Sequence, residues 1–287
     1  MVNHTHRYVS IDDVYRTSGI RSDVVSRPDV EDHIERAEVF VCRLTKNIYY
    51  NHNLEDESVT SATDNTLTST GSTWGVNQWS GQYVYLTSGT GSRQFRKIIS
   101  NTADTLTINR DWHVNPDATS SFSIFYVPKS FNPFVDATLD DAYDGNGNKW
   151  MYLPKYPLVQ LEYLEIADVE VNVNTVYKYK KSGKIELSSD SEQQVFQKTY
   201  PQQVQMKYWY GVDDLTDDVK RLVELKAALG ILSQQMGGTF DVPSTFSLPD
   251  LNVSIGQAYI NIKGTVDVLQ KEYDDLVTKI RIYPVFG

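Results

Sequence analysis

The chain carries one cysteine, Cys42, in 287 residues. That excludes an intramolecular disulfide and any cysteine-rich zinc site. No apolar run approaches the roughly 20 residues that a membrane-spanning helix needs, so no membrane partner is expected. The opening Met-Val-Asn-His-Thr-His has no signal-peptide core, and the expectation is a product that stays in the cytosol where it is made. Cations are outnumbered: 27 Lys and Arg stand against 37 Asp and Glu, a formal net charge of −10. That balance argues against a protein that grips nucleic acid by its phosphates and reads first as a solubility feature.

Catalytic and cofactor motifs are also missing. Asp144-x-Asn146-x-Asn148 starts like an EF-hand loop, but the sixth position is Lys149 and the twelfth Lys155, where calcium binding needs Gly and Glu. A Gly-rich turn is expected there. Thr87–Ser92 lacks the Gly-Lys-Ser/Thr ending of a phosphate loop and leads into a β-prone run, as a hairpin turn does. His4-x-His6 is a weak metal pair on a polar tail. No zincin motif, nucleophile elbow or dinucleotide fingerprint occurs. The acidic doublets Asp12-Asp13, Asp140-Asp141, Asp213-Asp214, Asp217-Asp218 and Asp274-Asp275 include several at expected helix starts, where capping accounts for them without catalysis. No enzyme activity, cofactor or metal is expected.

What is present is aromatic and patterned. Nineteen tyrosines and 5 tryptophans suit β-rich domains and subunit contacts. The sequence is organised around the unit 201–236. Val204, Met206, Tyr208 and Tyr210 alternate with Gln205, Lys207 and Trp209, the period of a strand with one buried face. Gly211 breaks it. Thr216 is placed as an N-cap, with Asp217 and Asp218 in the first helical turn. Val219, Leu222, Val223, Lys226, Leu229 and Leu232 follow at helical spacing, and Gly237-Gly238 is expected to stop the helix. Earlier, Ser10-Ile11-Asp12-Asp13 reads as a capping box opening a short helix that Gly19 closes. A second helix starts near Pro28, with the stripe Val30, Ile34, Ala37, Val41 and Leu44 facing 216–236. Ile34 and Val41 are thus set opposite Leu222 and Leu229 as core partners. Cys42 beside this stripe is expected to be buried and inert, and His33 to lie at the surface.

Between 59 and 127 the composition turns to Thr, Ser, Gly, Asn and aromatics. The β-prone runs Gln82–Thr87, Gln94–Ile99, Thr105–Asn109 and Ser121–Val127 predict a small antiparallel barrel or sandwich. Asn65-Thr66-Leu67-Thr68 before Trp74 is echoed by Asp104-Thr105-Leu106-Thr107 before Trp112. Residues 128–153 read as loop. Strands return at Pro157–Ile166, Val169–Val173, Val176–Lys180 and Lys184–Leu187, the last two as a hairpin over Lys181-Ser182-Gly183. An irregular linker is expected over 237–253, then a helix from Thr265 to Arg281 with an Asp275–Lys279 pair. The reading is an α+β chain. A small helical-bundle core with a β-hairpin arm takes 1–58 and 128–236. An inserted all-β domain takes 59–127, and a C-terminal helical arm and tail take 237–287.

The run Tyr8–Val14 to Ile34–Glu38, then Leu153-Pro154-Lys155-Tyr156-Pro157-Leu158-Val159, a β-arm, Val204–Gly211 and the helix from Leu215 resemble the head-to-tail connector (adaptor) proteins of tailed phages, over roughly 8–50 and 150–236. The 59–127 segment is similar to small β modules of phage structural proteins. The C-terminal helix and tail resemble longer connectors, in which such segments reach a neighbouring ring. The resemblance implies a structural virion protein of the neck, assembled in the host cytoplasm into a closed ring of about a dozen copies. It implies contacts with the portal protein and with a tail terminator or the next neck protein. Genomic DNA would pass through the channel without sequence-specific binding, which an acidic surface suits. Tyr208, Trp209, Tyr210, Tyr283 and Phe286 are the expected subunit or partner contacts. Two other classes are open: a receptor- or carbohydrate-binding protein of tail or baseplate, and an enzyme acting on polysaccharide.

Overall fold

The computed structural model describes residues 7–138, 141–239, 246–248, 251–253 and 256–282. It is an α+β structure that divides into two compact units. One is built on 47–214, the other on residues up to 46 together with those from 215 onward. The sequence expectation grouped the β-arm with the helices. In the structure the arm and the 59–127 segment share one unit, and the helices form the other.

In the helical unit, α1 (Ile11–Ser18) opens on a complete Ser10/Asp13 capping box and ends at Gly19, whose φ of 68° is left-handed. Helix α2 (Arg27–Thr45) is capped by Ser26 and carries Pro28 in its first turn. Helix α3 (Asp217–Thr239) packs on α1, α2 and α4 (Gly256–Ile282). Three neighbours explain why its burial is not one stripe. Val219, Leu222, Val223, Leu225, Ala228 and Ile231 are all fully buried. Ile34, Val41, Leu222 and Leu229 are buried, as is Cys42.

Polar side chains tie these helices together. Arg7 reaches Glu31, Glu35 and Glu38, one turn apart on α2, and buried Glu38 also accepts from the Tyr8 N–H at 2.8 Å. Arg221 on α3 forms a two-pronged pair with Glu272 on α4 at 2.8 and 2.9 Å. Several local expectations change. Helix α3 runs through Gly237-Gly238 to Thr239. The Thr216 backbone oxygen accepts the first helical N–H groups, while its hydroxyl has no partner among the described residues. His33 is half-buried, lies against Gly230 and bonds Gln234 at 2.9 Å. Lys279 pairs with Asp218 across to α3 at 2.8 Å, not with Asp275. Two short strands occupy part of the expected linker, Phe246–Leu248 paired with Leu251–Val253.

The other unit is all β. In chain order its strands are β1 (Asn51–Ser58), β2 (Ser61–Thr63), β3 (Thr66–Thr68), β4 (Tyr83–Ser88), β5 (Phe95–Asn101), β6 (Thr105–Ile108), β7 (Ser121–Tyr126), β8 (Phe134–Ala137), β9 (Trp150–Tyr152), β10 (Leu158–Ile166), β11 (Val169–Glu170), β12 (Val176–Tyr179), β13 (Lys184–Leu187) and β14 (Val204–Tyr210). The first seven form one sheet in the order β1-β7-β4-β5-β6-β3-β2. It begins at 51, not 59, because β1 pairs along β7. Its two outer strands are consecutive in sequence, joined by Val59-Thr60, so the sheet must curl strongly, yet it does not close into a barrel. The sequence echo has a structural counterpart. β3 and β6 pair antiparallel with Leu67 opposite Leu106, and Ser69 N–H to Asp104 mirrors Ile108 N–H to Asn65.

β14 is an inner strand of a four-stranded sheet, β11-β10-β14-β8. Both its faces are covered. Val204, Met206 and Tyr208 enter one apolar core, while Trp209 enters a second with Tyr83, Phe95 and Phe125 of the seven-stranded sheet. Gly211 then turns the chain at φ 132°, where a Cβ would lie 2.7 Å from the Ile48 carbonyl oxygen.

Candidate functional site

The third sheet of the β unit, in the order β12-β13-β9, has two unlike faces. Side chains alternate along each strand. Val176, Ile185, Leu187 and Met151 point inward and are buried. On the other face the register lines up two rows. Tyr177, Glu186 and Trp150 make one, and Tyr179, Lys184 and Tyr152 the other. Aromatic side chains normally stay largely covered. Here Tyr177 is 60% exposed, Tyr152 58%, Tyr179 48% and Trp150 36%. The turn between β12 and β13 is fixed by Gly183, left-handed at φ 66° with the Tyr156 Cβ close by, which keeps the hairpin in register.

The face is ordered by its own charges. Glu186, on the central strand, accepts from Lys184 at 2.8 Å and Lys149 at 2.9 Å. Those hydrogen bonds, from Lys184 first and then Lys149, hold its carboxyl down from 4.5 to about 2. Lys184 Nζ lies 4.6 Å from the Tyr179 ring centre and 5.8 Å from that of Trp150, cation–π distances. Trp150 and Tyr152 meet edge to face at 5.6 Å. Over 149–156 and 176–187 there are six lysines against the single carboxylate Glu186; one of them, Lys178, lies beside Ile185 on the inward face and donates to the Val173 carbonyl, leaving Lys149, Lys155, Lys180, Lys181 and Lys184. A cationic, aromatic face thus stands on a chain of net charge −10. It has no nucleophile–base pair; it offers flat π-surface, ammonium donors and apolar area.

The expected contact residues lie elsewhere. Tyr208 and Trp209 are 0% and 2% exposed, buried within the β unit, which leaves them almost no free surface. Tyr210 is half-buried, and its carbonyl accepts from the Tyr50 hydroxyl at 3.0 Å. Tyr283 and Phe286 lie outside the described residues. The sequence carried a signal for the face that is present: Trp150-Met151-Tyr152 and Tyr177-Lys178-Tyr179 both alternate large aromatic and inward residues. It was hidden because 128–153 reads as loop, and because an isolated three-residue strand shows no period of its own.

A second polar centre anchors this unit. Glu162 on β10 accepts from the Phe95 N–H at 3.0 Å, Trp209 Nε1 at 2.8 Å, Arg96 at 3.3 Å and Arg110 at 3.1 Å. Burial pushes the Arg96 guanidinium down to about 10, against the pull of Glu162. Glu162, Arg96 and Arg110 form a wall of a cavity of about 540 Å3, with Arg93, His113 and Lys207. Arg96 is further occupied by the Asp111 and Phe95 carbonyls, so the wall is a joint between β5 and β10. The Asp144–Asn148 segment is a turn in which the Asn146 side chain holds the Asn148 N–H and the Trp150 carbonyl. No cluster of three or more metal-ligating side chains occurs among the described residues. No protein-family model matches the chain, and no curated protein matches it significantly.

Proposed function

We propose that this chain is a structural subunit of a tailed-phage neck, a head-to-tail connector that assembles as a ring around the DNA channel. In this reading α1–α3 are the bundle core, the β12–β13 hairpin is the arm, the seven-stranded sheet is the inserted module and α4 is the C-terminal arm. The observation that carries it is the exposed aromatic face of the hairpin sheet. Four exposed aromatic side chains flank the central Lys184–Glu186 pair on one sheet face, and tyrosine and tryptophan are the residues enriched at protein-contact sites. The return of both chain halves to one helical unit agrees with the order of elements in that family. The acidic net charge suits a channel that must let phosphates slide. The partners are further copies of the chain, portal protein on one side, and a tail terminator or next neck protein on the other.

Light scattering on purified full-length protein, alone and mixed with portal, tests this. Assembly, or binding to portal at micromolar concentration, is the expected result. A monomer that ignores portal contradicts the reading. One observation favours a second reading: exposed Tyr152 and Tyr177 would also suit stacking on sugar rings, as in a receptor- or carbohydrate-binding tail protein. Glycan binding lost in Tyr152→Ser would support it.

A further inference from the structure

A second cavity of the β unit, of about 390 Å3, shares Arg110 with the cavity walled by Glu162. Its charged lining has one sign. Lys97 on β5, Arg110 after β6 and Lys129 after β7 face it, and among the described residues no carboxylate does. Arg110 is fixed in place. Its guanidinium lies 3.8 Å from the Phe134 ring centre, and its Nη2 donates to Glu162 at 3.1 Å and to the Phe95 carbonyl at 3.2 Å, which leaves Nε and Nη1 as donors. Lys97 and Lys129 are both exposed, and neither forms an ion pair among the described residues. Lys97 Nζ lies 6.0 Å from the Tyr83 ring centre.

The neutral groups lean the same way. Asn109 accepts from the Lys97 N–H at 3.0 Å through its side-chain oxygen, and Asn132 from the Phe134 N–H at 3.1 Å. Only the oxygen of an amide side chain can meet a backbone N–H, so both side-chain NH2 groups are left as donors. Ammonium, guanidinium and amide donors around one cavity, with the amide oxygens already used, suit an oxyanion.

We propose that this cavity binds a dianionic oxyanion of the phosphate-monoester class, free or carried on a small organic body. The charge count selects it. Glu162 answers Arg110, while Lys97 and Lys129 bring two positive charges that no carboxylate of the described residues pairs with. A phosphate monoester carries about 1.5–2 negative charges near neutral pH, where a carboxylate or a phosphodiester carries one. Like charges turned toward one cavity repel each other, and a bound dianion relieves that repulsion. The volume falls at the small end of ligand sites, which span about 300–1,000 Å3, and the half-buried Phe131 and Phe134 rings offer a surface for an organic body. Polynucleotide is the poorer occupant, because the acidic remainder of the chain repels a long phosphodiester. The site goes beyond the ring reading and does not depend on it.

The test is isothermal titration calorimetry on the full chain at low ionic strength, with sodium phosphate as the probe and sodium chloride of matched ionic strength as the blank. One saturable site is expected. Lys97→Gln and Lys129→Gln should each weaken it by about tenfold or more. Lys129→Arg should keep it, and Lys198→Gln, at an exposed lysine outside the cavity, should leave it unchanged. Far-UV circular dichroism identifies a variant that fails to fold, and the other lysine variant then carries the test. Glucose 6-phosphate separates the two sources. Tighter binding than inorganic phosphate shows that the cavity reads the organic body, and binding no tighter assigns it to the free anion. No saturation by about 10 mM phosphate or ester, tenfold above a millimolar site, overturns the proposal. Equal losses in Lys97→Gln, Lys129→Gln and Lys198→Gln mark diffuse attraction and overturn it as well. So does oligo-dT that binds where phosphate and the ester do not, which would assign the lysines to polynucleotide.

Discussion

Replacing Glu162 by Gln should cost the β unit about 3 kcal/mol. Glu162 is the only carboxylate bonded to both Arg96 and Arg110 in the described structure, and its side chain is 10% exposed against 2% for Arg96. Gln keeps a carbonyl that can accept from the Trp209 indole and the Phe95 N–H, so those two bonds survive. It removes the negative charge, and Arg96 is left as a buried cation held only by neutral oxygens. Breaking a buried pair from one side typically costs about 3–5 kcal/mol, and the retained hydrogen bonds place this case at the lower end. For a unit of this size each kcal/mol moves the melting point by about 2–4 °C, so a fall of roughly 6–12 °C is expected. The two units can be followed separately. All five tryptophans lie within 47–214, so tryptophan emission reports the β unit, while ellipticity at 222 nm is dominated by the helices. Glu162→Gln should shift the emission midpoint and leave the ellipticity midpoint nearly in place. Adding Arg96→Met should recover part of the loss, since the uncompensated charge is then gone and Arg110 is partly open to water. An unchanged emission midpoint, or losses that simply add in the double variant, would refute the reasoning.

Leu222→Ala, in the fully buried centre of α3, should cost about 2–5 kcal/mol in the ellipticity transition, whereas Asp217→Ala, 99% exposed in the first turn, should cost under about 1 kcal/mol; equal losses in a denaturant titration would contradict that ordering. Glu186 contributes stability present above its ordinary value of 4.5 and lost as pH falls towards its folded value of about 2. Glu186→Gln should therefore flatten the acid limb of stability between those values, and an acid limb unchanged in a pH series of melts counts against it. Deleting 59–127 should leave an insoluble β unit, because it removes the partners of β1 and uncovers Trp209. A soluble remainder with a cooperative melt would show the module to be independent after all.

The legible parts of the sequence were those governed by local rules. Ser10, Pro28 and Gly19 mark helix ends through capping that depends on near neighbours alone, and the structure uses each of them there. The hairpin turn at Gly183 was legible for the same reason. What failed was whatever depends on a second layer. Trp209 occupies the alternating position of a solvent-facing residue, but a second core lies on that side, and no period within β14 can announce it. Residues 51–58 were grouped with the helical-bundle core because their strand is specified by pairing to β7, some 65 residues later in sequence. Gly237-Gly238 looked like a stop, yet the helix passes through them, as glycine permits at modest cost. The candidate face was missed because its third strand, β9, lies in 128–153, which reads as loop, although the β12–β13 hairpin was legible. Only the register of the three strands assembles Trp150, Tyr152, Tyr177 and Tyr179 into one surface.

The central claim is ring assembly through that surface. It is tested most directly by electron microscopy of the purified full-length protein, alone and incubated with portal, beside the Lys180→Glu/Lys181→Glu variant. The account predicts closed rings for the wild type, free or seated on portal, and dispersed particles for the folded variant. Wild-type particles of single-chain size in both samples would contradict it.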